Sequence, residues 1–204
     1  MSKEYVNIVT PMGNAIYPWL TSPDTKFNPE GEYKVSLSVK EKEATPLISK
    51  IDSQIKEAIK LAPQGKKVKE SEKPYQPELD DDGQETGNII FKFKMRAQIK
   101  TKDGRTIPMS PKLFDASGVL MTECNSIWGG SKIKVSADMI PYYVAAVGAG
   151  VSLRLKAVQV IDLVTGGGDD AGSFGFQKED GYKAPDKSAS DQNDFNAEDD
   201  QEDF

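Results

Sequence analysis

The sequence predicts a mainly β domain, a small closed or nearly closed barrel with one helix packed beside it, followed by a disordered acidic tail. Three observations predict this. Several segments alternate apolar and polar residues with the period of a half-buried strand. One segment alone carries the period of a long helix, and apolar periodicity stops at Gly166. The absence of a regular strand–helix–strand rhythm argues against a doubly wound parallel sheet.

Taken in chain order, Tyr5 to Val9 is a short strand, interrupted by Pro11, Gly13 and Asn14, and Ala15 to Leu20 can continue it. Thr21 to Glu32, with two prolines and a glycine, reads as a loop. In Tyr33 to Val39, Tyr33, Val35, Leu37 and Val39 face one way and Lys34, Ser36 and Ser38 the other. The spacing predicts a helix over 45–61. Thr45 would cap it, Pro46 would occupy the first helical position, and Leu47, Ile48, Ile51, Ile55, Ala58, Ile59 and Ala62 form its apolar stripe. Lys66 to Asn88 is polar, with two prolines and the run Asp80, Asp81, Asp82, Gly83, and reads as a long mobile loop.

Ile89 to Lys100 is the strongest strand, with Ile89, Phe91, Phe93, Met95, Ala97 and Ile99 on the core face. A turn at Lys102, Asp103 and Gly104 lets Arg105 to Ile107 pair back as a hairpin. Asp115 to Gly118 and Trp128 to Gly130 mark two further turns. Ser131 to Ala137 alternates again, and Tyr142 to Gly150 is open between a strand and a short helix. Val151 to Leu163 is a long strand whose phase blurs near Val158 to Ile161, as a bulge would make it.

The formal net charge is -6, but it is segregated. Residues 166–204 hold 12 acidic and three basic residues, a net of -9, whereas residues 1–165 hold 23 basic and 20 acidic, a net of +3. A mildly basic body with a detachable polyanion suits a negatively charged ligand better than a uniformly acidic protein does. Cys124 is the sole cysteine, so no internal disulfide forms, and usage fits a reducing compartment. With no histidine, the commonest general base and neutral metal ligand are missing. The N-terminus lacks a basic region followed by an apolar run, so no secretory leader is expected. The apolar stretch around Met139 to Val151 is interrupted and too short for a bilayer, so no membrane partner is expected.

Four strands back an apolar face with cations: Lys34; Lys92, Lys94 and Arg96; Lys132 and Lys134; Arg154 and Lys156. Curled into one barrel, they gather positive charge on its outer wall, where a phosphate backbone binds and releases counterions. A solvated charged face explains each lysine singly; the repetition favours the polyanion. Single strands also need flat rings for exposed bases. Tyr17, Trp19, Phe27, Phe114, Trp128, Tyr142 and Tyr143 are candidates beside turns, with core packing as their ordinary role. The expected DNA-binding set is Trp19, Lys34, Lys92, Lys94, Arg96, Arg105, Phe114, Trp128, Lys132, Lys134, Tyr142, Tyr143 and Arg154. Phe204 ends the acidic run and offers a ring and a carboxylate to a basic-rimmed pocket on a partner; mere solubilisation gives no reason for a terminal aromatic.

The segments Gly31 to Val39, Gly130 to Tyr143 and Gly148 to Leu163, together with Glu198 to Phe204, resemble the single-stranded DNA-binding proteins of tailed bacteriophages. The likeness covers most of the chain and is weakest at Lys66 to Asn88. It implies an OB-fold-like five-stranded barrel with extra strands or hairpins, over residues 1–165, and a disordered tail over 166–204. It implies binding and protection of single-stranded DNA, without strong sequence preference, during phage replication, recombination and repair. It also implies recruitment of the replicative DNA polymerase and helicase-primase through Asp199, Asp200, Glu202, Asp203 and Phe204, with the tail competing against DNA. No catalytic residue, cofactor or metal is implied, and the setting is the host cytoplasm. The preference for DNA over RNA rests on the resemblance alone. A homodimer is compatible with it, and oligomeric state stays open.

Two other classes compete. A metal-dependent nuclease would draw on Asp80, Asp81 and Asp82 or on Asp169 and Asp170, but both clusters lie in segments that read as mobile, and two-metal chemistry needs rigid ligands. A structural or adaptor protein would use the acidic tail for protein contacts without DNA; it does not require a basic body. GGSK at Gly129 to Lys132 lacks the length of a phosphate-binding loop.

Overall fold

Inward-facing Val35, Leu37, Phe91, Phe93, Ile133, Val135, Leu153 and Leu155 are all essentially inaccessible to solvent, and the strands that carry them wrap around this common core. The computed structural model describes residues 5–63, 68–124 and 126–165. The elements are β1 (Val6–Val9), β2 (Gly13–Asp24), β3 (Glu32–Lys40), α1 (Glu41–Lys60), β4 (Tyr75–Leu79), β5 (Glu85–Arg96), β6 (Gln98–Lys100), β7 (Thr106–Pro108), β8 (Lys112–Phe114), β9 (Lys132–Val144) and β10 (Gly148–Asp162).

The main sheet orders its strands β1-β9-β2-β3-β5-β10-β8, and β9 also pairs with β10. That extra pairing closes a ring of five strands, β9-β2-β3-β5-β10, consistent with an OB-fold-like topology. The β5–β10 step is parallel and the other four steps are antiparallel. β1 pairs with Ser136 to Met139 of β9, and β2 takes the same strand at Ile133 and Lys132. Thr10 bridges the two by exchanging hydrogen bonds with Val135 at 2.9 Å.

Most strand expectations hold, with informative shifts. β10 skips a pairing partner between Leu155 and Ala157 and again between Val160 and Asp162. The first bulge changes the buried face from Val151, Leu153 and Leu155 to Val158 and Val160, which is why the phase blurs in the sequence. Tyr142 to Gly150 resolves as strand: β9 runs through Val144 and β10 restarts at Gly148. β2 extends four residues into the expected Thr21 to Glu32 loop. The expected strand over 89–100 breaks at Ala97, and the Arg105 to Ile107 return becomes β7, paired to β6.

The helix starts one turn before the expected Thr45 cap, directly out of β3 at Glu41. Ala44 is fully buried, so the stripe begins there and continues through Leu47, Ile51, Ile55 and Ala58 against β9 and β10. Glu41 and Glu43 in the first turn suit the positive end of the helix dipole. Pro46 therefore sits inside the helix, where its missing N–H costs one hydrogen bond to the Lys42 carbonyl. The Thr45 hydroxyl, rather than capping, donates to the Glu41 carbonyl at 2.9 Å.

Within the segment expected to be a long mobile loop over 66–88, residues 75–88 build a hairpin, β4 with the start of β5. Its polarity misled, because this edge pairing is held by side chains: Ser38, Thr86 and Asn88 all donate to the Glu78 carboxylate. Asp80 closes the turn by accepting the backbone N–H groups of Asp82 and Gln84. Residues 166–204, expected to be a disordered tail, lie outside the described residues.

Candidate nucleic-acid interface

Strand alternation throws every second residue outward, and the registers decide which outward residues become neighbours. Trp19 on β2 pairs with Lys34 on β3, Lys34 with Lys94 on β5, Lys94 with Arg154 on β10, and Arg154 with Asp138 on β9. One transverse row therefore runs around the ring's exterior, with an indole at one end and three cations beside it. The next row places Ser36 opposite Lys92, and the row on the other side places Glu32 opposite Arg96.

A groove of about 920 Å³ lies along this wall, lined by Tyr17, Trp19, Lys34, Lys92, Lys94 and Tyr142 among others. Its rings are held outward by local structure. Tyr17 is the sole non-glycine residue with positive φ (46°) among the described residues, and it is 83% exposed. It falls where the β2–β3 register slips between Ile16 and Trp19, so two aromatic residues of one strand both face solvent. Tyr142 is fixed differently: its hydroxyl shares a hydrogen bond with Ser71 Oγ at 2.7 Å. Gly150 makes that contact possible, since a Cβ there would meet Ser71 Oγ and the Tyr142 hydroxyl. The groove's rim at Lys73 and Pro74 is tied to α1, where Lys73 Nζ donates to the Tyr75 hydroxyl at 2.8 Å and to Asp52 at 3.0 Å. The Tyr75 hydroxyl, then Asp52, hold the Lys73 ammonium well above its ordinary pKa.

The cations differ in how they are engaged. Lys34 pairs with Asp24 at 2.6 Å, and that bond, followed by the Lys26 backbone N–H, depresses the Asp24 carboxyl. Lys92 approaches exposed Glu72 at 3.7 Å, a weak and screened contact. Arg154 and Lys156 both reach Asp138, at 2.9 and 3.2 Å. Lys94 and Arg96 make no ion pair with any described residue.

Seven of the expected residues thus come together: Trp19, Lys34, Lys92, Lys94 and Tyr142 in this groove, Arg96 and Arg154 in an adjoining one. The others lie elsewhere. Lys134 sits four residues along β9 from Asp138, about 13 Å away, and Lys132 is farther still, near Asp162. Arg105 is on the β6–β7 turn, paired to Asp103. Phe114 is part-buried on β8, and Trp128 is exposed beside Val164. Tyr143 faces away from its neighbour Tyr142, opposite Ala149. The groove adds Lys26 and Lys73, and Phe27 stands next to Lys26, 84% exposed, with the Lys26 ammonium 5.5 Å from its ring centre. Lys26 and Phe27 lie in a stretch without alternation, so only their loop position beside a prolines-and-glycine segment signalled them.

Among the described residues no group of three or more carboxylates or cysteines is placed to hold a metal ion. Asp80 spends its carboxylate on its own turn, and Asp169 and Asp170 lie outside the described residues. No described helix is long and apolar enough to cross a membrane.

The family model described as single-stranded DNA-binding protein, bacteriophage T7, matches residues 12–163. The single-stranded DNA-binding protein of Enterobacteria phage T3 is 31% identical over 185 residues, 81% of this chain and 79% of that protein. That of Escherichia phage T7 is 32% identical over 171 residues, 77% of this chain and 73% of that protein. The crystal structure of gp2.5, the single-stranded DNA-binding protein encoded by bacteriophage T7, superposes with a TM-score of 0.69 at 29% identity, covering 89% of this chain and all of that one. The single-stranded DNA-binding protein of bacteriophage Enc34, solved with single-stranded DNA, gives a TM-score of 0.59 at 16% identity over 79% of this chain and 89% of its own, a likeness of fold.

Proposed function

The chain belongs to the bacteriophage T7 single-stranded DNA-binding protein family, and we propose that it binds and protects single-stranded DNA without turnover or strong sequence preference. The observation that carries this reading is the row Trp19, Lys34, Lys94, Arg154 across four adjacent strands. A strand laid along the groove meets the cations Lys34, Lys92 and Lys94 and the rings of Tyr17, Trp19 and Tyr142, a pairing of phosphate attraction with stacking that tolerates any base. The closed pairing β9-β2-β3-β5-β10 supports reading the ring as an OB-fold barrel. Residues 1–165 carry the DNA, and residues 166–204 act as an acidic tail.

In this reading the tail, a polyanion tethered to a basic body, competes with DNA through its effective concentration. Once displaced, Asp199, Asp200, Glu202, Asp203 and Phe204 dock on the replicative polymerase and helicase-primase. The protein works in the host cytoplasm during replication and recombination of phage DNA.

A salt-dependent fluorescence titration on oligo-dT and on duplex tests the core of the proposal. Binding that favours the single strand and weakens steeply with salt is expected; no affinity at low salt would end it. Removing residues 197–204 leaves or raises DNA affinity and abolishes capture of the polymerase and helicase-primase. Undiminished capture would overturn the tail's role.

A further inference from the structure

A second groove, of about 950 Å³, adjoins the first and shares Glu32, Lys94 and Ser152 with it. Its chemistry is two-sided. Arg96, Lys112, Arg154 and Lys156 line it, and only Glu32 and Asp138 oppose those charges and Lys94. Between the cations lie Ile99, Met109 and Ile140, an apolar floor that solvation alone does not explain.

The β6–β7 hairpin supplies Ile99, Met109 follows it directly, and Ile140 comes from β9. The hairpin forms its own two-stranded sheet, with Ile99 directly opposite Ile107 and each 48% exposed. Its base is fixed where Met109 N–H donates to the Ala97 carbonyl at 2.7 Å and Ala97 N–H to the Gly31 carbonyl at 3.0 Å. Lys100 pairs with Glu30 at 2.6 Å and ties the hairpin to the β2–β3 loop. The hairpin thus stands as an anchored flap beside a cationic channel.

We propose that this second groove holds the continuation of the same DNA strand that occupies the first. Arg96, Lys112 and Lys156 contact its phosphates, and Ile99 and Met109 pack on base faces. The proposal rests on the single-stranded DNA reading. It commits to DNA because the charge is complementary to a polyanion and because the two grooves meet at Lys94, which makes no ion pair with a described residue. Asp138 holds both Arg154 and Lys156, and an arriving phosphate competes with it for those two cations.

The test uses the full chain with the double substitution Lys112→Gln, Lys156→Gln, both on exposed strand positions, and oligo-dT of roughly 5 and roughly 20 nucleotides, spanning the range of one such barrel's site. The short oligonucleotide fits one groove, and its affinity is expected to stay within about twofold. Affinity for the long one falls about tenfold, and its log–log salt slope becomes shallower by about 1.4, at about 0.7 per lost phosphate contact. Unchanged long-oligonucleotide binding, or equal loss for both lengths, overturns the second groove. Failure of the unsubstituted protein to bind either length sinks the parent reading instead. Should the double variant not fold, methyl signals of Ile99 and Met109 in the unsubstituted protein decide. They shift with the long oligonucleotide and not the short one. Signals that move only when residues 166–204 are removed assign the groove to the tail and end the proposal.

Discussion

Lys34 and Lys94 stand directly opposite each other across β3 and β5, on the exposed face of the ring. Like charges in that position repel, and sheets ordinarily avoid them. Asp24 relieves the Lys34 side, while Lys94 has no described counter-ion. On the proposed reading, an arriving phosphate removes a repulsion as well as adding an attraction.

From this pair, Lys94→Ala is expected to leave the melting temperature unchanged or raise stability by about 0.5 kcal/mol. DNA binding falls several-fold, and the salt slope becomes shallower by about 0.7. Thermal melts and titrations at three salt concentrations check both halves. A marked loss of stability would show that Lys94 holds the fold instead of the ligand.

Tyr17 separates display from structure. Its ring touches solvent and its backbone is in the left-handed region, which glycine adopts freely. Tyr17→Gly should therefore keep stability or raise it by up to about 1 kcal/mol. It should cost about 1–3 kcal/mol of DNA affinity if the ring stacks on a base. Equal affinity in the two proteins would remove Tyr17 from the interface.

Asp138 is 6% exposed, and burial alone would raise its pKa. Hydrogen bonds from Arg154, Asn7 and Lys156 together outweigh that and hold the carboxyl below its ordinary range. A depressed native pKa means that the network stabilises above the unfolded carboxyl's pKa and is lost as pH falls through the native one. Asp138→Asn is expected to cost about 1–2 kcal/mol at pH 7. The gap to the parent closes as pH drops below about 4. Released from their counter-ion, Arg154 and Lys156 should bind DNA more tightly, by a few-fold. Urea melts at two pH values and one titration suffice; a gap that widens in acid contradicts the sign.

Gly150→Ala places a methyl group against Ser71 Oγ and the Tyr142 hydroxyl. The Ser71–Tyr142 bond must break, at about 1–2 kcal/mol. Tyr142 then loses its fixed orientation on the groove, so DNA affinity should fall while the strand ring persists. Circular dichroism would report the ring, and titration the loss. Unaltered binding would make Tyr142 a purely structural contact.

Local alternation made β3 and β5 legible, and with them Lys34, Lys92, Lys94 and Arg96, because side-chain direction in a strand depends only on parity. Register is not written that way. Lys132 and Lys134 share the parity of Asp138, yet the transverse row crosses β9 at Asp138, and only the pairing with β10 shows it. The left-handed turn at Tyr17 left no mark, since nothing near it is a glycine expected to adopt that conformation. β4 was hidden because it is only five residues long with Pro77 at its centre, and of its alternating Tyr75, Pro77 and Leu79 only Tyr75 packs on the core, while Glu78 stitches the other side to polar partners. The second groove joins Lys112, Met109 and Lys156, residues that become neighbours only through a parallel pairing of β8 with β10.

Val6 finds its partner in Met139, about 130 residues later, and β2 likewise waits for β9. Joining ends so distant costs about 4 kcal/mol of chain entropy before any reward arrives. The ring is thus sealed late in synthesis, after residues 132–162 have emerged, and its rate of completion should be slow for the chain's size. Until then the unpaired edge of β2 and the apolar side of Ile8 and Ala15 stand uncovered, which makes the half-made chain the species most prone to aggregate.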